Sequence, residues 1–176
     1  MVTIEEVKEN SSNKEFVLNA LKEDGLLLEF ADDKLIDDKE VVMEAVTTDG
    51  GALEFASDRL KDDKDILMKA VETKGFVICY ASEKLRKDKE LLNKAVQKDG
   101  QVLYFASPEI RDDKEIVLNA VRNKGIIIKY ASSRLRSDKD VAKEALKQDL
   151  VAFDFLEPVL REDEEILAFK AELESK

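Results

Sequence analysis

Apolar residues along this chain fall into two alternating patterns. From residue 38 the sequence runs Asp-Lys-Glu-Val-Val-Met-Glu-Ala-Val, which places Val41, Val42, Ala45 and Val46 at i, i+1, i+4 and i+5. That spacing is one face of an α-helix. Asp38 suits the N-cap, and Glu40 lies in the first turn, where the helix dipole favours negative charge. Gly50 closes the helix, an end that the left-handed C′ conformation open to glycine would explain. The pattern therefore predicts a first helix of about ten residues, too short to be stable alone in water. A denser apolar stretch follows, as in Gln101-Val102-Leu103-Tyr104-Phe105-Ala106, and then Ser107-Pro108-Glu109-Ile110. Ser followed by Pro is an N-cap and N1 pair, so a fresh helical turn starts at Ser107. The second helix is thus short, with a further turn or 3₁₀ segment before the next Asp-Lys.

The design repeats with a period of 25 residues. Lys recurs at Lys14, Lys39, Lys64, Lys89, Lys114 and Lys139, with Asp before it from Asp38 onward. Ala recurs at Ala20, Ala45, Ala70, Ala95, Ala120 and Ala145, and Gly at Gly25, Gly50, Gly75, Gly100 and Gly125. An aromatic precedes a second Ala ladder, at Phe30, Phe55, Tyr80, Phe105 and Tyr130. Repeats of this length cannot bury their apolar faces alone and stack on their neighbours. The expected fold is all-α, an α-solenoid of tandem helix–short-helix repeats with divergent capping units and one concave face. The alanines should let helices approach closely. The aromatics should fill the space between layers, where truncation to Ala would cost about 3–5 kcal/mol.

The ends depart from the pattern. Thr3 and Glu6 form a capping-box pair, whereas Leu150, Leu156 and Glu164 stand where Gly, Ala and Lys are due. One domain over 1–176 is expected, with an N-terminal cap over 1–12, repeats over 13–149, and a divergent repeat and cap over 150–176.

Composition narrows the chemistry. The 29 basic and 40 acidic residues give a net charge of −11, and there is no His and one Cys. Without His, the Ser/His/Asp and Cys/His nucleophile systems, His-bearing zinc sites and His-based pH switches are absent. The single thiol of Cys79 cannot form an internal disulfide, which favours a cytoplasmic setting over a stapled secreted one. No uninterrupted apolar run exceeds six residues, too few to span a membrane.

The unit DKEIVLNAVRNKGIIIKYASSRLRSD, Asp113 to Asp138, resembles the short helical repeats catalogued as domain of unknown function 4116. They share its D-K-E start, the A-V close of the first helix, the Gly, and the F/Y-A-S of the second. The resemblance covers roughly residues 13–163. It implies little about activity, since the family is named for lacking one. Such arrays resemble other α-solenoids whose role is binding, found in large proteins and secreted effectors. A weaker similarity is to variant leucine-rich repeats, which alternate an α-helix with a 3₁₀-helix at nearly this period.

Positions that vary inside a fixed frame are where a solenoid carries specificity. In the second helix these are two columns, three residues apart. The first reads Leu26, Gly51, Phe76, Gln101, Ile126, Val151 and the second Glu29, Glu54, Cys79, Tyr104, Lys129, Asp154. The central members, Phe76, Cys79, Gln101, Tyr104, Ile126 and Lys129, are the candidate partner-binding residues, with Phe76 and Tyr104 as anchors. The competing reading is that the first column packs between layers and tolerates any apolar residue. A basic stripe, Lys61, Arg86, Arg111, Arg136 and Arg161, with Arg59, Lys84 and Arg134, reads either as an anion site or as an inter-repeat ion-pair ladder. Asp62 to Asp65 lacks the alternating spacing and distal Glu of a calcium loop, so no metal and no cofactor are expected.

The leading expectation is a non-catalytic, monomeric module that binds a protein or peptide. The alternative is a structural spacer with no ligand. A nucleic-acid reader needs basic and stacking residues on one face, and Tyr104 with Lys129 is a thin signal beside a net charge of −11. An enzyme is not expected: the carboxylates recur with the repeat, whereas a catalytic pair breaks the pattern at one place.

Overall fold

A computed structural model describes residues 2–175. The protein is an all-α helical-repeat solenoid in which α-helices alternate with 3₁₀ helices, and no strand occurs among the described residues. The chain divides into two compact units, Met1–Leu85 and Arg86–Lys176.

In the first unit the α-helices Lys14–Glu23, Lys39–Thr48 and Lys64–Ala70 pack in one row, and the 3₁₀ helices Gly25–Phe30, Gly50–Phe55 and Gly75–Tyr80 in another. The capping box of Thr3 and Glu6 opens the short helix Ile4–Glu9 ahead of them. The second unit repeats the scheme with the α-helices Lys89–Lys98, Lys114–Asn123, Lys139–Gln148 and Glu164–Glu174. Its 3₁₀ helices are Gly100–Phe105, Gly125–Tyr130 and Leu150–Phe155. Ser57, Ser107 and Ser132 each cap a one-turn α-helix that leads into the next long helix.

Two expectations about the second segment are corrected. The piece after the glycine is the 3₁₀ helix, and the turn after the serine is α in three of the repeats. Apolar density around each glycine left the helix type open. A 3₁₀ helix has three residues per turn, so positions three apart eclipse and the six-residue segment presents three distinct faces. In Gly100–Phe105, Val102 and Leu103 are buried while Gln101 and Tyr104 face solvent.

The second correction concerns the core. Phe55, Phe105 and Tyr130 are half-buried and do not fill the interior. The aliphatic pairs do: Ala52 and Leu53, Val102 and Leu103, Ile127 and Ile128, each 2 % exposed or less. They meet the helix positions anticipated from the pattern, such as Val41, Val42, Ala45 and Val46, all fully buried.

The glycines also act differently from expectation. None has a positive φ. The long helices end instead on extended residues such as Asp49 and Asp99, whose side chains cap the following 3₁₀ helix. What the glycine provides is space. A β-carbon at Gly100 would lie 2.6 Å from the carbonyl oxygen of Ala120, one repeat on, and at Gly25, Gly50 and Gly125 it would come closer still to Ala45, Ala70 and Ala145. The Gly and Ala ladders are two sides of one close approach.

Candidate functional site

The frame that holds the variable columns carries a ladder of ion pairs that the periodic Asp-Lys step encodes. Lys14 donates to Asp38 at 2.7 Å, Lys39 to Asp63 at 2.7 Å, Lys89 to Asp113 at 2.6 Å and Lys114 to Asp138 at 2.8 Å. Each lysine is the first residue of one long helix, and each aspartate is the N-cap of the next. One carboxylate oxygen therefore takes the lysine while the other accepts backbone N–H groups of the first turn, as Asp113 does from Glu115 and Ile116. The Lys14 and Lys89 ammonium groups hold the Asp38 and Asp113 carboxyls below the usual carboxylate range, helped by the amides. At Asp63 and Asp138 burial opposes ionisation, yet the lysine and amide bonds outweigh it.

The basic stripe is partly an inter-repeat ladder. Arg59 donates to the Asp37 carboxylate at 3.0 Å and to the Asp37 carbonyl at 2.6 Å, and Arg134 engages Asp112 the same way at 2.9 and 2.6 Å. Arg136 pairs with Glu157. The partners lie about one repeat away in space, not beside the arginines in sequence. Arg111 departs from the scheme, with its Nε donating to the Ala106 carbonyl at 2.9 Å.

The six candidate residues divide between the units. Phe76 and Cys79 sit on the 3₁₀ helix Gly75–Tyr80 of the first, with Phe76 51 % exposed and Cys79 half-buried. Next to them Tyr80 is hydrogen-bonded to Glu54; burial first, and then that bond, push its phenol up to about 12. The other four lie in the second unit on two 3₁₀ helices that pack side by side, Gln101 and Tyr104 on one, Ile126 and Lys129 on the next. Gln101 is exposed, whereas Ile126 and Lys129 are half-buried. The Tyr104 ring, 56 % exposed, meets Tyr130 edge-on with centroids 5.3 Å apart. Lys129 Nζ stands 4.8 Å from the centre of the Tyr130 ring and 5.9 Å from that of Phe155. Tyr104, Tyr130, Lys129 and Phe155 thus form an aromatic–cation row across three consecutive 3₁₀ helices.

The family described as Domain of unknown function (DUF4116) matches residues 13–61, 38–86, 63–111 and 113–161, well over half of the chain. The chain belongs to that family. Each DUF4116 match opens on the N-cap of a long helix, at Asn13, Asp38, Asp63 or Asp113. Each spans two successive cap-Lys steps, Asn-Lys for the first of them and Asp-Lys for the rest, so the family's pattern and the ion-pair ladder share one register. No curated protein and no solved structure matches the chain.

Tyr130 is the member of the aromatic–cation row that the sequence pattern placed between layers, and Phe155 is one that the pattern did not single out. Their signal was present, since both follow directly on the second variable column. The pattern does not tell how far the ring reaches solvent: with three residues per turn the position lies over buried Ile127 or Ala152, yet the larger aromatic ring is only half-buried. No helix among the described residues is long and apolar enough to cross a membrane.

Proposed function

We propose that this helical-repeat array is a non-catalytic module that binds a protein or peptide segment on its 3₁₀ helices. The observation that carries this reading is the aromatic–cation row: Tyr104 exposes most of its ring on a face whose backbone is pinned by the Lys–Asp ladder and the Gly–Ala contacts. Aromatic rings on a rigid frame contribute large contact area with little ordering cost, and are enriched among binding hot spots. The solvent-facing positions change from repeat to repeat, while the buried ones stay aliphatic.

Affinity capture with the wild-type array beside a Phe76→Ala/Tyr104→Ala variant tests the reading. A partner held by the wild type should be lost by the variant with no fall in melting temperature. A fall in stability matching the loss of capture would return both residues to a packing role. The regularity of the ladder favours a second reading, a spacer with no ligand. That reading expects no partner for either protein, and loss of function on deletion of one 25-residue unit.

A further inference from the structure

Within the second unit, a cavity of about 400 Å³ opens between the 3₁₀ helices Gly125–Tyr130 and Leu150–Phe155 and the one-turn helix Pro158–Arg161. Its charges are arranged unevenly. Arg136 is engaged by Glu157, whose carboxyl the guanidinium holds below the usual range, so that pair is internally satisfied. Lys129 and Arg161 also line the cavity, and among the described residues neither side chain makes a hydrogen bond or ion pair. The Lys129 ammonium is held by ring faces alone, and the Arg161 guanidinium acts on Glu157 only through its field. Phe155 and Pro158 supply an apolar wall beside these two cations. Of the two acidic residues in the lining, Glu157 is taken by Arg136 and Asp154 is exposed on the rim.

Two unpaired cations next to an apolar wall, in a chain of net charge −11, are a local reversal of the molecule's field. Over distances beyond about 8 Å physiological salt screens the repulsion of the rest of the surface, so the local charges decide what docks. An anion between Lys129 and Arg161 gains charge-assisted hydrogen bonds that neither side chain has now. We infer that the cavity receives an acidic side chain of the bound peptide segment, its carboxylate taken by Lys129 and Arg161 and an adjoining apolar residue laid on Phe155 and Pro158. This rests on the peptide-binding reading and specifies the charge of the partner.

The test uses the full chain and three fluorescein-labelled peptides of equal length: Glu with Phe, Lys with Phe, and Glu with Gly. Fluorescence anisotropy should show the Glu/Phe peptide binding more tightly than both others, and weakening as salt is raised. Lys129→Ala and Arg161→Ala should each weaken it by about tenfold, the loss of one charge-assisted contact. Asp154→Asn, which removes the rim's negative charge, should tighten it. Thermal melts of Arg161→Ala and Asp154→Asn should match the wild type, since both positions are exposed, and Lys129→Met, which keeps most of the half-buried stem and removes the charge, separates a binding loss at Lys129 from a packing loss. Equal binding of the Lys/Phe peptide, no binding of the Glu/Phe peptide, or indifference to both cation variants overturns the assignment. The outcomes separate from those of the broader reading: a chain that loses its captured partner on Phe76→Ala/Tyr104→Ala yet ignores the Glu/Phe peptide is a binding module without this acidic-residue pocket.

Discussion

Gly50 and its neighbour Gly51 face opposite circumstances, and alanine separates them. A methyl group at Gly50 would run into the carbonyl oxygen of Ala70, a backbone atom of the next helix that moves only if the repeats part. At Gly51 the nearest atom is Lys74 Nζ at 2.8 Å, the far end of a flexible side chain. Gly50→Ala should therefore destabilise the protein by about 1–3 kcal/mol, the usual cost of overpacking, while Gly51→Ala should leave stability nearly unchanged. Urea denaturation of the two variants measures the difference. Equal effects would mean that the inter-repeat approach is looser than the Gly–Ala ladder implies. The recurrence of both residues is plain in the sequence. That one serves the other is not, because the contact lies one repeat away and is made by backbone.

At the scale of the helix, each long segment is started by an aspartate with two tasks. Asp113→Ala removes the acceptor for the amides of Glu115 and Ile116 and should cost about 1 kcal/mol. Asp113→Asn keeps a side-chain oxygen for those amides and gives up only the pairing with solvent-exposed Lys89, so it should stay close to the wild type. If the two variants fall together, the ion pair rather than the cap starts the helix. The 3₁₀ helices make a second contrast. Leu103 is fully buried and Phe105 half-buried, so Leu103→Ala should cost about 2–5 kcal/mol and Phe105→Ala less, despite the larger side chain removed. Equilibrium unfolding of this pair checks which residue belongs to the core. The opposite order would restore the aromatics to the interior.

Across the whole molecule the repeated caps make stability depend on pH in a common direction. The carboxyls of Asp38, Asp63, Asp113 and Asp138 are held below their ordinary value in the folded chain. Their contribution is present above the unfolded value of about 3.9 and is lost as pH falls through the lowered folded values. The lysines of the ladder move the other way. Asp38 and Glu40 raise the Lys14 ammonium, and Asp138 and Asp140 raise that of Lys114. Their contribution is complete below about 10.4 and fades as pH rises through the raised values. The urea midpoint should be level between these limits and fall on both sides, the acid side because four caps protonate in the same range. A midpoint that stays level well below pH 4 would show that the caps carry little of the stability.

The sequence by itself determined the repeat, its 25-residue register, the all-α class, the starts of the long helices and the buried face of each. These are local or periodic properties: a cap acts on amides two and three residues away, and an amphipathic face is written at helical spacing. The variable columns were legible for the same reason, and Phe76 and Tyr104 do face solvent. Only the tertiary structure decided that the second segment is a 3₁₀ helix, that the aromatics sit at its edge, and that the glycines make room for a neighbouring carbonyl. It alone set Lys129 and Arg161 around one cavity. Each of these depends on atoms that approach from another repeat, and a pattern read along one strand of sequence carries no record of the distance between repeats.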